Sequence, residues 1–173
     1  MRKLILLLVL GTFIQANYSN PLTQKRFRDV QVHIELASTK YKVPYKLLKS
    51  MLYTESRFNP RAVSPTGPIG IAQLTKATAE RYDVKDRRNA KESIYGMARA
   101  MRDIYNNTPN NFTKGERWKI SAFIYNQGKS AYWRSKAKVL SEGYKPTYNN
   151  ITLQLALCGE NDEGLLYISK VII

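Results

Sequence analysis

The 173-residue chain carries 28 lysines and arginines against 13 acids, a formal net charge of +15, and 43% of its residues are hydrophobic. That length and apolar content support a domain with a real core and exclude global disorder, while the charge favours an anionic partner: nucleic acid, a membrane surface or an anionic polymer. A single cysteine, Cys158, and a single histidine, His33, exclude an intramolecular disulfide and any zinc-finger-type or HExxH metal site. Cys158 in "LQLALCG" reads as a buried inert thiol, and His33 in "DVQVHIELA" as a helix residue rather than a general base.

In chain order, Arg2 and Lys3 precede an apolar run, Leu4–Ile14, of signal-peptide length and short for a membrane span. Residues 1–16 are therefore expected to be a signal peptide, with Ala16 before the cut, or else an uncleaved anchor. Residues 17–23 read as a short tether, and residues 24–173 as one domain. Phe27, Val30, Ile34, Ala37 and Tyr41 recur at helical spacing. "KVPYKLLKSMLYTES" follows, with Pro44 at a helix start and Leu47, Leu48, Met51 and Leu52 on one stripe. Pro60, Pro65, Gly67, Pro68 and Gly70 then break regular structure.

"IAQLTKATAERY" predicts a helix from about Ile71. "ESIYGMARAMRDIYNN" predicts another, with Ile94, Met97, Ala98, Met101, Ile104 and Tyr105 on one side. "RWKISAFIYNQG" reads as a helix ending at Gly128, and "SAYWRSKAKVLSEG" as one capped by Ser130 and stopped by Gly143. The closing elements "ITLQLAL" and "EGLLYISKVII" fit helix or strand by pattern, and helix suits the rest. The fold class is mainly α.

One acid is out of place. Glu55 lies four residues after Met51 and three after Leu52, so it continues an apolar stripe. A carboxylate facing a core is costly to ionise; its pKa should rise, which suits a general acid. From the helix alone the plainer reading is a frayed end with Glu55 in solvent. The stiff loop after it alters that balance: glycines let a backbone approach a ligand and prolines fix the turn. Gln73 offers an amide to sugar hydroxyls or acetamido groups. Far downstream, Tyr125 and Asn126 precede a glycine, and a buried tyrosine hydroxyl in want of a partner would find one in Glu55.

These residues carry a resemblance. Tyr41 to Leu74 resembles the lytic transglycosylase domain of the goose-type lysozyme superfamily: Glu55-Ser56 matches its first motif, Gly67-x-x-Gly70-x-x-Gln73 its second, and Tyr125-Asn126-x-Gly128 its third. "SIYGMARAM" resembles the helix between them, and Glu163-x-x-x-Tyr167-Ile-x-Lys170 its closing segment. The sequence departs from the pattern at Thr75-Lys76, where Met-Pro is usual, at Met97, where glycine is common, at Gln127-Gly128-Lys129, and at Gly164.

The resemblance implies a lysozyme-like helical domain that cleaves the MurNAc–GlcNAc bond of peptidoglycan, with Glu55 as sole acid and base. Ser56 and Tyr125 would support it, and Gln73, Asn126, Gly70, Thr75, Glu163 and Tyr167 would contact the glycan. No metal or cofactor is implied, nor a nucleic-acid partner. The expected setting is an exported monomer in the periplasm or cell envelope, touching membrane only through its N-terminal segment, with secretion, conjugation or phage machinery as possible partners. A hydrolytic lysozyme on the same fold, or a non-catalytic wall- or nucleic-acid-binding protein, would be the rival readings.

Overall fold

The computed structural model describes residues 20–157, and this part of the chain is helical. Seven helices follow one another: α1 Pro21–Tyr41, α2 Tyr45–Ser56, α3 Lys76–Arg81, α4 Ala90–Asn106, α5 Lys114–Gln127, α6 Lys129–Ser141 and α7 Tyr148–Leu157. The expected leader (1–16), Cys158 and the closing segment with Glu163 and Tyr167 lie outside the described residues.

Local chemistry sets the helix ends. α1 starts earlier than the apolar period suggests, because Asn20 accepts from the Leu22 and Thr23 amides and Pro21 takes the first helical position. Residues 21–23, expected in a tether, are therefore helical. α4 is capped by Asn89, and α5 by a reciprocal capping box between Thr113 and Glu116. Gly128, in positive φ, ends α5 as its spacing predicts. Ser130 is not the cap of α6: that helix begins at Lys129 directly after Gly128, so Ser130 lies inside it. At the other end Tyr144 and Gly143 donate to the Val139 and Leu140 carbonyls, closing α6 in a Schellman turn at Gly143.

The stripes read from the sequence are the core. Val30, Ile34 and Ala37 of α1, the four apolar residues of α2, and Ile94, Met97, Ala98 and Met101 of α4 are buried together. Phe27 and Tyr41 pack on their margin. Ile104 differs from its neighbours; it is only half-buried. α5 is apolar on two sides because it divides two clusters: Trp118 and Ala122 join the first, while Ile120 and Phe123 join a second with Tyr132, Val139 and Ile151. Where a glycine is needed on α4 it is Gly96, since a Cβ there would overlap the Val84 side chain. Met97 beside it is fully buried. Arg102 joins α4 to the end of α1, its guanidinium donating to the Tyr41 and Lys42 carbonyls, where a cation also complements the helix dipole.

Candidate active site

α2 delivers Glu55 to its C-terminal turn, and the chain then leaves the helix through two successive residues in the left-handed region, Arg57 (φ 53°) and Phe58 (φ 58°). Neither is glycine, so each costs about 1 kcal/mol or more. Burial of Phe58, fully enclosed against Phe27 and Tyr53, offsets that cost. The strained exit lies immediately beside the acid, which is where such strain is concentrated in functional sites.

The loop that follows is stiffened by backbone pairing as well as by proline. Ser64 donates to the Pro68 carbonyl, Gly70 to Ala62, and Ile69 and Leu74 exchange both of their hydrogen bonds. Gly70 is buried at φ +85°, and a Cβ there would overlap the Arg87 carbonyl oxygen. The Arg87 side chain in turn donates to the carbonyls of Gly67 and Leu74. Gly70 thus serves close packing behind the loop and is not among the residues lining the groove, contrary to its expected place at the substrate.

The helix expected from Ile71 begins only at Lys76, capped by Thr75, whose hydroxyl accepts from the Thr78 amide. Gln73 therefore sits in a turn, at φ 48°, and not in a helix. Its side-chain amide donates to the Gly70 and Ala62 carbonyls, which leaves Oε1 as the atom it can offer a ligand.

The turn 71–72 joins the three motifs. Ser56 donates to the Ile71 carbonyl at 2.7 Å and accepts from the Asn59 amide. Tyr125 donates to the next carbonyl, Ala72, at 2.8 Å. Ser56 is thereby a tie between α2 and the loop, outside the groove lining. The Tyr125 hydroxyl thus gives a hydrogen bond to backbone, and its oxygen keeps lone pairs with which it can also accept. The acid is still near: burial first, then the negative charges of Glu55 and Tyr82, hold the Tyr125 hydroxyl well above its ordinary pKa.

Glu55, Gln73, Thr75, Tyr125 and Asn126 line one groove of about 670 Å³. Sequence reasoning missed its far wall, where Arg81 and Tyr82 of the α3 end meet Asp103 on α4. The Tyr82 hydroxyl donates to Asp103 Oδ2 at 2.7 Å, and Arg81 Nη2 reaches the same oxygen at 3.0 Å. The groove thus contains a second carboxylate. The signal for it was a second helical face, Ala100–Asp103–Ile104–Asn107, beside the core face of α4. No group of three or more His, Cys, Asp or Glu side chains suited to a metal ion occurs among the described residues.

Burial, followed by the hydrogen bond to Asp103 and its charge, pushes the Tyr82 hydroxyl up from 10.0 to about 12. A proton held more tightly in the folded state stabilises it fully below pH 10, and that stabilisation disappears as pH rises through about 12. Urea unfolding followed from pH 9 to 12 is expected to show this alkaline loss, with Tyr82→Phe flattening part of it. An identical alkaline slope in the variant would contradict the assignment.

A helical, lysozyme-like domain with one groove built from an acid-bearing helix end, a pinned loop and a Tyr-Asn helix end is the class these features define. The chain belongs to the transglycosylase SLT domain family, whose model matches residues 33–147. Curated relatives agree. It is 36% identical over 105 residues to the membrane-bound lytic murein transglycosylase F of Saccharophagus degradans, covering 61% of this chain and 21% of that protein. With the protein of the same name from Thiobacillus denitrificans it shares 38% identity over 104 residues, 60% of this chain and 22% of that one. With that of Salmonella arizonae it shares 30% over 146 residues, 83% of this chain and 28% of the relative. The chain therefore spans only 21% to 28% of the length of these relatives.

Proposed function

We propose that this chain is a peptidoglycan lytic transglycosylase that cleaves the MurNAc–GlcNAc β-1,4 bond and leaves a 1,6-anhydro-MurNAc end. The observation that carries the reading is the convergence of Glu55, Gln73, Tyr125 and Asn126 on one groove, in a member of the SLT family. Relatives named lytic murein transglycosylases support the same chemistry.

Protonated Glu55 donates to the glycosidic oxygen as the bond to the anomeric carbon breaks. The substrate's acetamido oxygen stabilises the cationic centre. Glu55, now a carboxylate, takes the proton of the MurNAc 6-hydroxyl, and that oxygen closes the anhydro ring. Tyr125 suits the first step: a hydroxyl whose own proton is given to Ala72 accepts from a protonated acid and favours that form. Gln73 Oε1 accepts from a sugar hydroxyl or acetamido N–H, and Asn126 lies at the same groove.

A hydrolase would need a second carboxylate to activate water. Asp103 is the other carboxylate lining the groove, and its oxygens already accept from Tyr82, Arg81 and Asn107. That arrangement favours ring closure over water attack. Mass spectrometry of muropeptides released from purified sacculi tests it: anhydro products, one water lighter than hydrolysed ones, are expected, and reducing MurNAc ends as the main product would replace the reading with a lysozyme. The strongly basic chain suits an anionic cell wall, and the relatives' membrane-bound description suits an envelope location. Residues 1–16 would then serve export or anchoring, with secretion, conjugation or phage entry as settings.

A further inference from the structure

Helix α6 buries Ala131, Tyr132, Ser135 and Val139 on one side. On the other side large apolar groups face water. Trp133 is 43% exposed, Leu140 52%, and Tyr144, just past the closing turn at Gly143, 60%. At 3.6 residues per turn, Trp133, Ala137 and Leu140 fall within about 60° of one another. The outward face therefore carries an apolar stripe.

Cations border that stripe. Residues 129–145 hold Lys129, Arg134, Lys136, Lys138 and Lys145 against one acid, Glu142, which pairs with Lys138 at 3.1 Å. By helical position Lys129 and Lys136 fall on one side of the stripe, Arg134 and Lys138 on the other. Lys136 Nζ lies over the Trp133 ring, 4.9 Å from its centre.

The combination identifies the partner. An apolar patch rimmed by charge marks an interaction surface. An anionic polymer would be gripped by the cations alone and gives no reason to leave a tryptophan and a leucine in water. A bilayer surface uses both kinds of group. Trp and Tyr sit at headgroup level, Leu reaches the acyl boundary, and Lys and Arg lay their stems on apolar surface with their charges among the phosphates. With 13 residues α6 is too short to cross a bilayer, which leaves the interfacial plane. The exposed Val32 and Leu36 of α1, by contrast, sit among both signs of charge, Asp29 and Glu35 beside Arg28 and Lys40.

We propose that the outward face of α6, Trp133, Leu140 and Tyr144 with Arg134, Lys136 and Lys145, docks on an anionic phospholipid bilayer, the helix lying along the surface. This contact is separate from any made by residues 1–16. α6 starts at the groove, which Gly128 and Lys129 line, so docking keeps the groove beside the membrane.

The chain carries its own probe. It has two tryptophans, and Trp118 is 7% exposed and stacked on Tyr105, so a change on binding is read from Trp133. The full chain is mixed with vesicles of phosphatidylglycerol and phosphatidylcholine, with or without brominated acyl chains. A blue shift of tryptophan emission and quenching by the brominated lipid are expected, and neither on phosphatidylcholine alone. Arg134→Gln with Lys136→Gln should lower the ratio of inserted to uninserted Trp133 about 25-fold, roughly fivefold for each cation. Trp133→Phe should abolish the quenching, and Trp133→Ser should clear lipid-free sacculi at the unmodified rate, with circular dichroism showing each variant folded.

Quenching that survives Trp133→Phe, or a chain that sediments with the vesicles at unchanged emission, puts the contact elsewhere and overturns the proposal. An equal blue shift with soluble polyglutamate makes the face a polyanion site and overturns it too. So does a Trp133 already shielded from acrylamide before lipid is added, since the chain itself or a second copy then covers the face. Slower clearing of lipid-free sacculi by folded Trp133→Ser would assign the ring to the wall and not to a membrane.

Discussion

Glu55→Gln is expected to leave the fold intact and to lower the rate of wall clearing about a thousandfold, the range set by loss of a positioned general acid. The amide has the size of the acid and keeps hydrogen-bonding capacity at a half-buried helix end. Melting temperature should therefore move by no more than about 3 °C. Turbidity loss of purified sacculi, measured beside circular dichroism melts, reads both quantities. Clearing at the unmodified rate would remove Glu55 from the mechanism, whatever the products. Equal losses of stability and activity would make the residue structural.

The second large effect is expected at Gly70. A Cβ there meets a backbone carbonyl, that of Arg87, which cannot swing aside as a side-chain tip would. The positive φ adds its own strain. Gly70→Ala should cost about 3 kcal/mol in all, seen as a fall in melting temperature of roughly 10 °C. Activity should fall further than stability, because the loop that Gly70 seats holds Gln73 and presents the Ile71 and Ala72 carbonyls to Ser56 and Tyr125. Gly67→Ala is the internal comparison. Gly67 also has positive φ, but a Cβ there meets nothing within 4 Å, so strain alone acts and the loss should be about 1 kcal/mol. Equal melting temperatures for the two variants would show that the Arg87 contact does not seat the loop.

These two positions mark different depths of legibility. Glu55 was readable because a carboxylate interrupting the Leu48–Met51–Leu52 stripe is a local anomaly in a strong period. Gly70 was readable as a glycine in a motif, but its role was not. Whether a glycine faces a ligand or a neighbouring backbone depends on residue 87, which the intervening chain brings back against it. Ser56 followed the same course: beside the acid in sequence, it serves the Ile71 carbonyl in space. Helix starts at Pro21, Lys76 and Lys129 differed from their expected places because a cap or a turn residue, and not the apolar period, decides where a helix begins.

By itself the sequence determined that the described chain is helical, which faces of α1, α2 and α4 are buried, and that one acid stands against the pattern with Gln73, Tyr125 and Asn126 as its distant companions. Those are consequences of spacing, and spacing is written in one dimension. Only the tertiary structure decided where two hydroxyls are tied: Tyr125 to the Ala72 carbonyl, and Tyr82 to Asp103. It also decided that Asp103 shares the groove. Hydrogen-bond partners separated by 53 and 21 positions are chosen by how helices pack, and no local period carries that choice.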